Sequence, residues 1–365
     1  MRTVLALCLL LSICSLSPAS SAFPTPQIPY SPRHQICYRA EAPPRIDGSP
    51  GDPVWEAASW SEPFVDIEGD LRPLPPLRTR VKMLWDDRCL YILAEMEEPH
   101  LWATYTARDA VIYHENDFEV FLDPDGDTHL YYELEINALN TVWDLLLVRP
   151  YRDGGPAVHG WDIAGLETAT LLDGTLNDPS DLDAGWSVEI AFPWEALREC
   201  AGRPVPPANG DLWRVNFSRV EWRLDSADGG YRKVTDPATG KPLPEANWVW
   251  SPQGLIAMHY PEMWGFVQFS AIPAGTGAAP PRADPDDARF WALRLLYYAQ
   301  KERVERGLGF AGDLSVLATS TFISEQAIPS EARIAVTPAG FEASLNGADG
   351  AILHIDDAGR VWRTR

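Results

Sequence analysis

The chain has 365 residues, 45% of them hydrophobic and 22% charged, with 33 Pro, 26 Gly and 15 Trp. So many aromatic residues exclude a disordered chain, and so many prolines exclude a coiled coil. With 52 acidic against 30 basic residues, the formal charge of −22 argues against nucleic-acid and membrane-surface partners and suits a neutral sugar or a cation.

Arg2 is followed by an apolar run from Val4 to Leu16, then Pro18 and Ser20-Ser21-Ala22. That order predicts a signal peptide over residues 1–22, cleaved after Ala22, and a secreted or periplasmic protein. The run is too short to span a membrane. Cys8 and Cys14 lie inside it, which leaves Cys37, Cys89 and Cys200. Three cysteines allow at most one disulfide, and none has the spacing of a zinc site.

Residues 23–35 carry four prolines and read as a linker. Segments rich in β-branched and aromatic residues follow at Thr79–Trp85, Cys89–Glu97, Asp117–Asp123, His129–Ala138, Thr141–Val148, Trp186–Phe192, Trp213–Val220 and Trp264–Phe269. Trp85–Arg88 and Asp123–Asp127 read as hairpin connections. Residues 149–185 and 223–263 read as long, functional loops. Strands without intervening long helices predict an all-β domain over 36–272, an antiparallel β-sandwich of jelly-roll or DOMON-like type. One helix, Asp286 to Arg306, carries a stripe of Phe290, Leu293, Tyr297 and Val304 and ends at Gly307. With the turn pairs Asn346-Gly347 and Asp349-Gly350, it makes residues 285–365 a helix plus a small β appendage.

The chemistry lies in the central third. Period-two alternation puts Tyr131, Glu133, Glu135 and Asn137 on one face of their strand, and Tyr132, Leu134 and Ile136 on the other. The preceding strand offers Asp117, Glu119 and Phe121 on one face. If the two pair, Glu119 joins an acidic row suited to the hydroxyls of a sugar. The same row suits Ca²⁺, which takes several oxygens, or it is a solvated outer face. A hydrolase reading would use Glu133 and Glu135 as acid and base, but two groups on one strand cannot flank a bond from opposite sides. Asp123, Asp125 and Asp127 with Gly126 lack the glycine and glutamate positions of a calcium loop and read as a turn. Trp143, Trp161, Trp248, Trp250 and Trp264 lie in or near the long loops, where an indole can stack on a sugar face.

These residues carry a resemblance. Arg45-Ile46-Asp47-Gly48 with Trp55, Thr79–Asp87, Leu90-Tyr91-Ile92, Glu115–Asp123, Tyr132–Asn137, Gly185–Ala191, Trp213–Phe217 and Trp264–Phe269 stand in the order found in family 9 carbohydrate-binding modules. The chain resembles that family over about residues 36–270. The resemblance implies a non-catalytic β-sandwich that binds poly- or oligosaccharides, acts beside glycoside hydrolases and sometimes holds calcium. It implies that Tyr113 stands at a sugar-clamping aromatic position and Glu119 at a hydroxyl-binding glutamate. Glu135 stands where the family has an arginine, and the second clamp position falls near Met258, so Trp250 or Trp264 would supply that ring. The expected site is Tyr113, Glu119, Glu135, Asn137, Trp143, Trp250 and Trp264. Sandwiches of this general type also include haem-binding redox domains, for which Met258 with His114 or His129 would be axial ligands.

Overall fold

A computed structural model describes residues 23–227, 229–318, 320 and 328–365. The signal-peptide reading falls outside the described residues. The first ten strands are β1 (His34–Arg39), β2 (Val65–Asp66), β3 (Thr79–Trp85), β4 (Cys89–Glu97), β5 (Asp117–Asp123), β6 (Tyr131–Asn137), β7 (Val142–Leu147), β8 (Ala157–Val158), β9 (Glu167–Asp173) and β10 (Gly185–Pro193). A short helix, α1 (Trp194–Leu197), precedes β11 (Leu212–Glu221), the hairpin of β12 (Leu224–Ala227) and β13 (Gly230–Lys233), then β14 (Ala246–Val249) and β15 (Gly265–Pro273). Beyond lie α2 (Asp287–Glu305), α3 (Leu314–Leu317), β16 (Arg333–Val336), β17 (Phe341–Asn346), β18 (Ile352–Asp356) and β19 (Val361–Thr364).

Eleven of these strands form one continuous path, β8-β7-β6-β5-β11-β15-β1-β3-β4-β10-β9, with β14 and β2 attached beside β11. The path folds over on itself. Phe118, Val120 and Leu122 of β5 and Leu134 and Ile136 of β6 share one core with Val81 and Met83 of β3 and Ile92 and Ala94 of β4. Those are alternate positions of each strand, so each half buries one face against the other and the result is a β-sandwich. Trp194 and Trp213, 5.7 Å apart and edge to face, fill one end with Phe269.

The sandwich is not wholly antiparallel. β1 runs parallel to both β15 and β3 and joins the halves. Local alternation reports burial and says nothing of pairing direction, so this was invisible in sequence. The two long loops also hold structure. β9 pairs with β10 at the sheet edge, and β14 pairs with β11 beyond the point where β15 leaves it. Four of the seven side chains of β9 are half-buried and three exposed, so it lacks the alternation that marks a strand.

Glu189 of β10 fixes the Ile46-Asp47-Gly48 and Trp55 motif in place. Its carboxylate accepts the N–H groups of Asp47 and Gly48 at 2.8 and 2.7 Å and the indole N–H of Trp55 at 2.6 Å. Gly48 has φ +82°, and a Cβ there would stand 2.5 Å from the Thr170 backbone. Only glycine fits both demands.

α2 is buried all round from Ala292 to Gln300. One side meets Ala343, Leu345, Leu353 and Ile355 of the antiparallel sheet β16–β19. The other meets the sandwich and the 23–33 segment, where Tyr30 stacks on Trp291 at 4.3 Å. Leu293 and Tyr297 of the expected stripe are buried, but Val304 is exposed because the last turn outruns its cover. A second helical turn, α3, follows. Cys37, Cys89 and Cys200 are all free thiols. No helix among the described residues is long and apolar enough to cross a membrane.

Candidate functional site

The outer face of the β7-β6-β5-β11-β14 half carries the acidic row. Register sets Trp143, Glu135, Glu119 and Ser218 side by side across four strands, with Leu145, Glu133 and Phe121 in the next row. Asn137 and Asp117 form a third row with Val220 and Asn247. Period-two geometry alone delivers this juxtaposition once the partner faces are buried.

The face is not solvated. Asp117, Glu119, Glu133 and Glu135 are each at most 5% exposed. The turn Ile112–His114 lies over the sheet, held by the Tyr113 N–H donating to Glu135 Oε2 at 2.9 Å and by Trp222 Nε1 donating to the Tyr113 carbonyl at 3.0 Å. Glu115 anchors the approach, accepting from Thr104 N at 2.7 Å, Tyr105 N at 3.1 Å and Asn137 Nδ2 at 2.6 Å. Between this turn and the loop bearing Met258 and His259 runs a groove of about 600 Å³. Glu119, Glu133, Glu135, Trp143, Asn247 and Tyr151 are among the residues that line it.

Burial pushes the Glu119 carboxyl up to about 7. Burial and then the neighbouring carboxylates raise Asp117, Glu133 and Glu135 well above the ordinary range. His259, also in the wall, is driven down to about 3 by burial and by Arg152, so it is neutral, and its Nδ1 meets the Tyr131 hydroxyl at 2.9 Å. Tyr113 and Tyr151 are exposed, at 39% and 49% of their residue surface. Trp143 is 6% exposed and lies between Tyr113, at 6.4 Å and 25°, and His159, at 5.6 Å and 14°. A sugar held between two rings needs about 7–8 Å, two contact distances of 3.5–4.0 Å. Tyr113 and Trp143 therefore form one continuous wall and not a clamp.

Residues 46–233 match the family described as carbohydrate family 9 binding domain-like. The chain belongs to that family. A family 9 carbohydrate-binding module from Caldicellulosiruptor kristjanssonii, solved with cellotriose, is 18% identical over 68% of this chain and 100% of that one, with a TM-score of 0.42. The same organism's module with glucose gives 20% identity over 67% and 100%, with a TM-score of 0.42. A protein from Bacteroides uniformis described as a putative carbohydrate-binding protein gives 16% over 66% and 100%, with 0.47. No curated protein matches.

In this family 9-like chain, Tyr113, Glu119, Glu135 and Trp143 meet at the groove, while three expected residues stand elsewhere. Asn137 spends its amide on Glu115 and the Tyr105 carbonyl, and its Oδ1 accepts the N–H groups of Leu139 and Thr141. It locks the β6–β7 turn. Trp250 lies in the sandwich core, its ring 2.4 Å from where a Cβ on Gly265 would stand. Trp264 is fully buried against Phe121 and Tyr131 and donates Nε1 to the Met258 carbonyl at 2.9 Å. It supports the groove wall from behind. Of the haem alternative, Met258 lines the groove, but His129 sits near Arg294 and Arg360 at the seam with the tail. Tyr151, His159 and Asn247 were not singled out from sequence. Their one signal was membership of the two long segments.

Proposed function

We propose that this chain is a non-catalytic saccharide-binding protein, secreted or periplasmic, that supports polysaccharide breakdown by glycoside hydrolases. The observation that carries the reading is the groove. Exposed tyrosines border a floor of carboxylates in a chain of a carbohydrate-binding family. Aromatic rings stack on the C–H faces of pyranoses, and fixed acceptors direct their hydroxyls. The acid residues lie on one sheet face, so no two of them flank a glycosidic bond as hydrolysis requires. The resemblance supports the setting beside hydrolases, and the amino-terminal 22 residues support export.

A glycan array with the mature protein names the ligand. Titration of the best glycan against Tyr113→Ala should then show a ten- to hundredfold loss, on the order of the 1–3 kcal/mol of one stacking ring. Binding by Tyr113→Ala and Tyr151→Ala equal to wild type would overturn the placement of the site. Release of reducing sugar from a polysaccharide panel would overturn the non-catalytic reading.

A further inference from the structure

Three groups of carboxylates bring one oxygen from each member within 4.8 Å of one another. In two of them an arginine of the chain faces the carboxylates. Asp144 is held by the Arg108 guanidinium and accepts the Ile163 N–H at 2.6 Å, and Arg108 also reaches Asp109 and Asp162. Asp123 accepts the N–H groups of Gly126 and Thr128, and Asp127 faces Arg360 at 2.8 Å. The third group is Asp117, Glu119 and Glu135 on the groove floor, with Glu133 beside it. The charges acting most strongly on these four are all acidic.

A second observation points to a ligand. Asp117 Oδ2, Glu119 Oε2 and Glu133 Oε2 have no hydrogen-bond partner, and the fully buried Ser218 hydroxyl stands beside Glu119 across the β5–β11 register. Desolvated carboxylates without a partner are costly, and like charges opposite each other across strands add to the cost. Spare oxygens from adjacent strands therefore converge where positive charge is missing, and Glu119, Glu133 and Glu135 reach the open groove.

The donor set identifies the cation class. It is all oxygen, with no thiol or imidazole in the group, which suits a hard cation. Ca²⁺ takes 6–8 oxygens at 2.3–2.6 Å, so ligands around one ion stand up to about 5 Å apart. Mg²⁺ usually keeps several waters and takes only one or two carboxylates, fewer than this floor presents. We propose that Asp117, Glu119 and Glu135, with the Ser218 hydroxyl, bind Ca²⁺ on the groove floor, and that the ion's open positions take a pair of saccharide hydroxyls. The second half rests on the saccharide reading of the groove; the first does not.

The test uses the full mature chain, stripped with EDTA and desalted. Titration with CaCl₂ should show one equivalent bound. Tb³⁺ should bind at the same place, with luminescence excited through the adjacent Trp143 and quenched by added Ca²⁺. Asp117→Asn and Glu119→Gln, both isosteric, should each lose at least tenfold in Ca²⁺ affinity, while Asp127→Asn, in the loop cluster, should lose less than twofold. No calcium uptake by wild type, or uptake unchanged in both floor variants, overturns the site. The wild-type Tb³⁺ titration decides that arm even if a variant fails to fold. In the second arm, affinity for the best glycan should fall at least tenfold in EDTA and return with Ca²⁺. Glycan binding that persists in EDTA overturns the bridging role and leaves the saccharide reading standing. Calcium bound as stated with no glycan bound in either condition overturns the saccharide reading and upholds the ion site.

Discussion

Two places in this molecule bury several charges, and they solve the problem in opposite ways. At the seam between sandwich and tail, Arg152 lies 2.9 Å from Glu262 and 3.2 Å from Asp153, with the Tyr260 ring 4.0 Å away. Tyr298 donates to Glu262, and Tyr297 and Lys301 reach Asp153 at 2.6 and 2.7 Å. Burial alone would raise the Glu262 carboxyl, but Arg152 and Arg294 outweigh it and bring it down to about 2. On the groove floor burial meets no such opposition. The difference teaches that depth does not decide the state of a buried carboxylate. What decides is whether its counter-charge is encoded in the chain or must arrive from solution.

The most severe way to break the comparison is to remove the encoded charge. Arg152→Met leaves Glu262 and Asp153 buried without their cation and should cost about 3–5 kcal/mol. The urea midpoint should fall with an unchanged slope. Glu119→Gln runs the other way. In chelator at pH 8 it removes a charge that nothing balances, so it should stabilise the protein by roughly 1–3 kcal/mol. A destabilised variant in the same melts would show that the floor has a counter-charge after all.

Acidity should separate the two places by sign. Glu262 has a folded value near 2, below its ordinary 4.5, so its contribution is full above about pH 4.5 and lost as pH falls towards 2. Glu119 has a folded value near 7. In chelator its charge therefore weakens the fold progressively as pH rises from about 4.5 to 7. Thermal melts in EDTA across pH 2–8 should show both limbs, with Glu119→Gln making the upper one shallower and leaving the lower one unchanged. The smallest effect belongs to a pair with one partner half in solvent. Arg360, half-exposed opposite Asp127, should cost no more than about 1 kcal/mol when changed to Gln, and a larger loss would mean that the tail is held at that one point.

The strands were legible where one face is buried. β3, β4 and β5 begin and end where composition places them, because alternation and turn residues agree there. β9 was not, since it is an edge strand with no buried face to impose a pattern. At the site, alternation put Glu119 and Glu135 on a shared face, and register did the rest. The same alternation placed Asn137 in that row, but a side chain's direction does not say which neighbour claims its hydrogen bonds, and Glu115 claims these. Trp250 and Trp264 fall near the loops in sequence, yet a large apolar ring is buried wherever the core offers space. Only the three-dimensional packing of Gly265 beneath Trp250 decides between platform and core.

The parallel strand β1 also sets an order in time. Its residue 34 hydrogen-bonds in register with residue 266, so the two halves of the sandwich cannot be stitched together until nearly three-quarters of the polypeptide exists. Long-range pairing of this kind carries a loop-closure cost before any contact repays it, and it slows folding. A ribosome-bound chain arrested before β15 therefore holds both halves unclosed, in a form that a narrow channel can still admit. Closure waits for the far end of the domain to emerge.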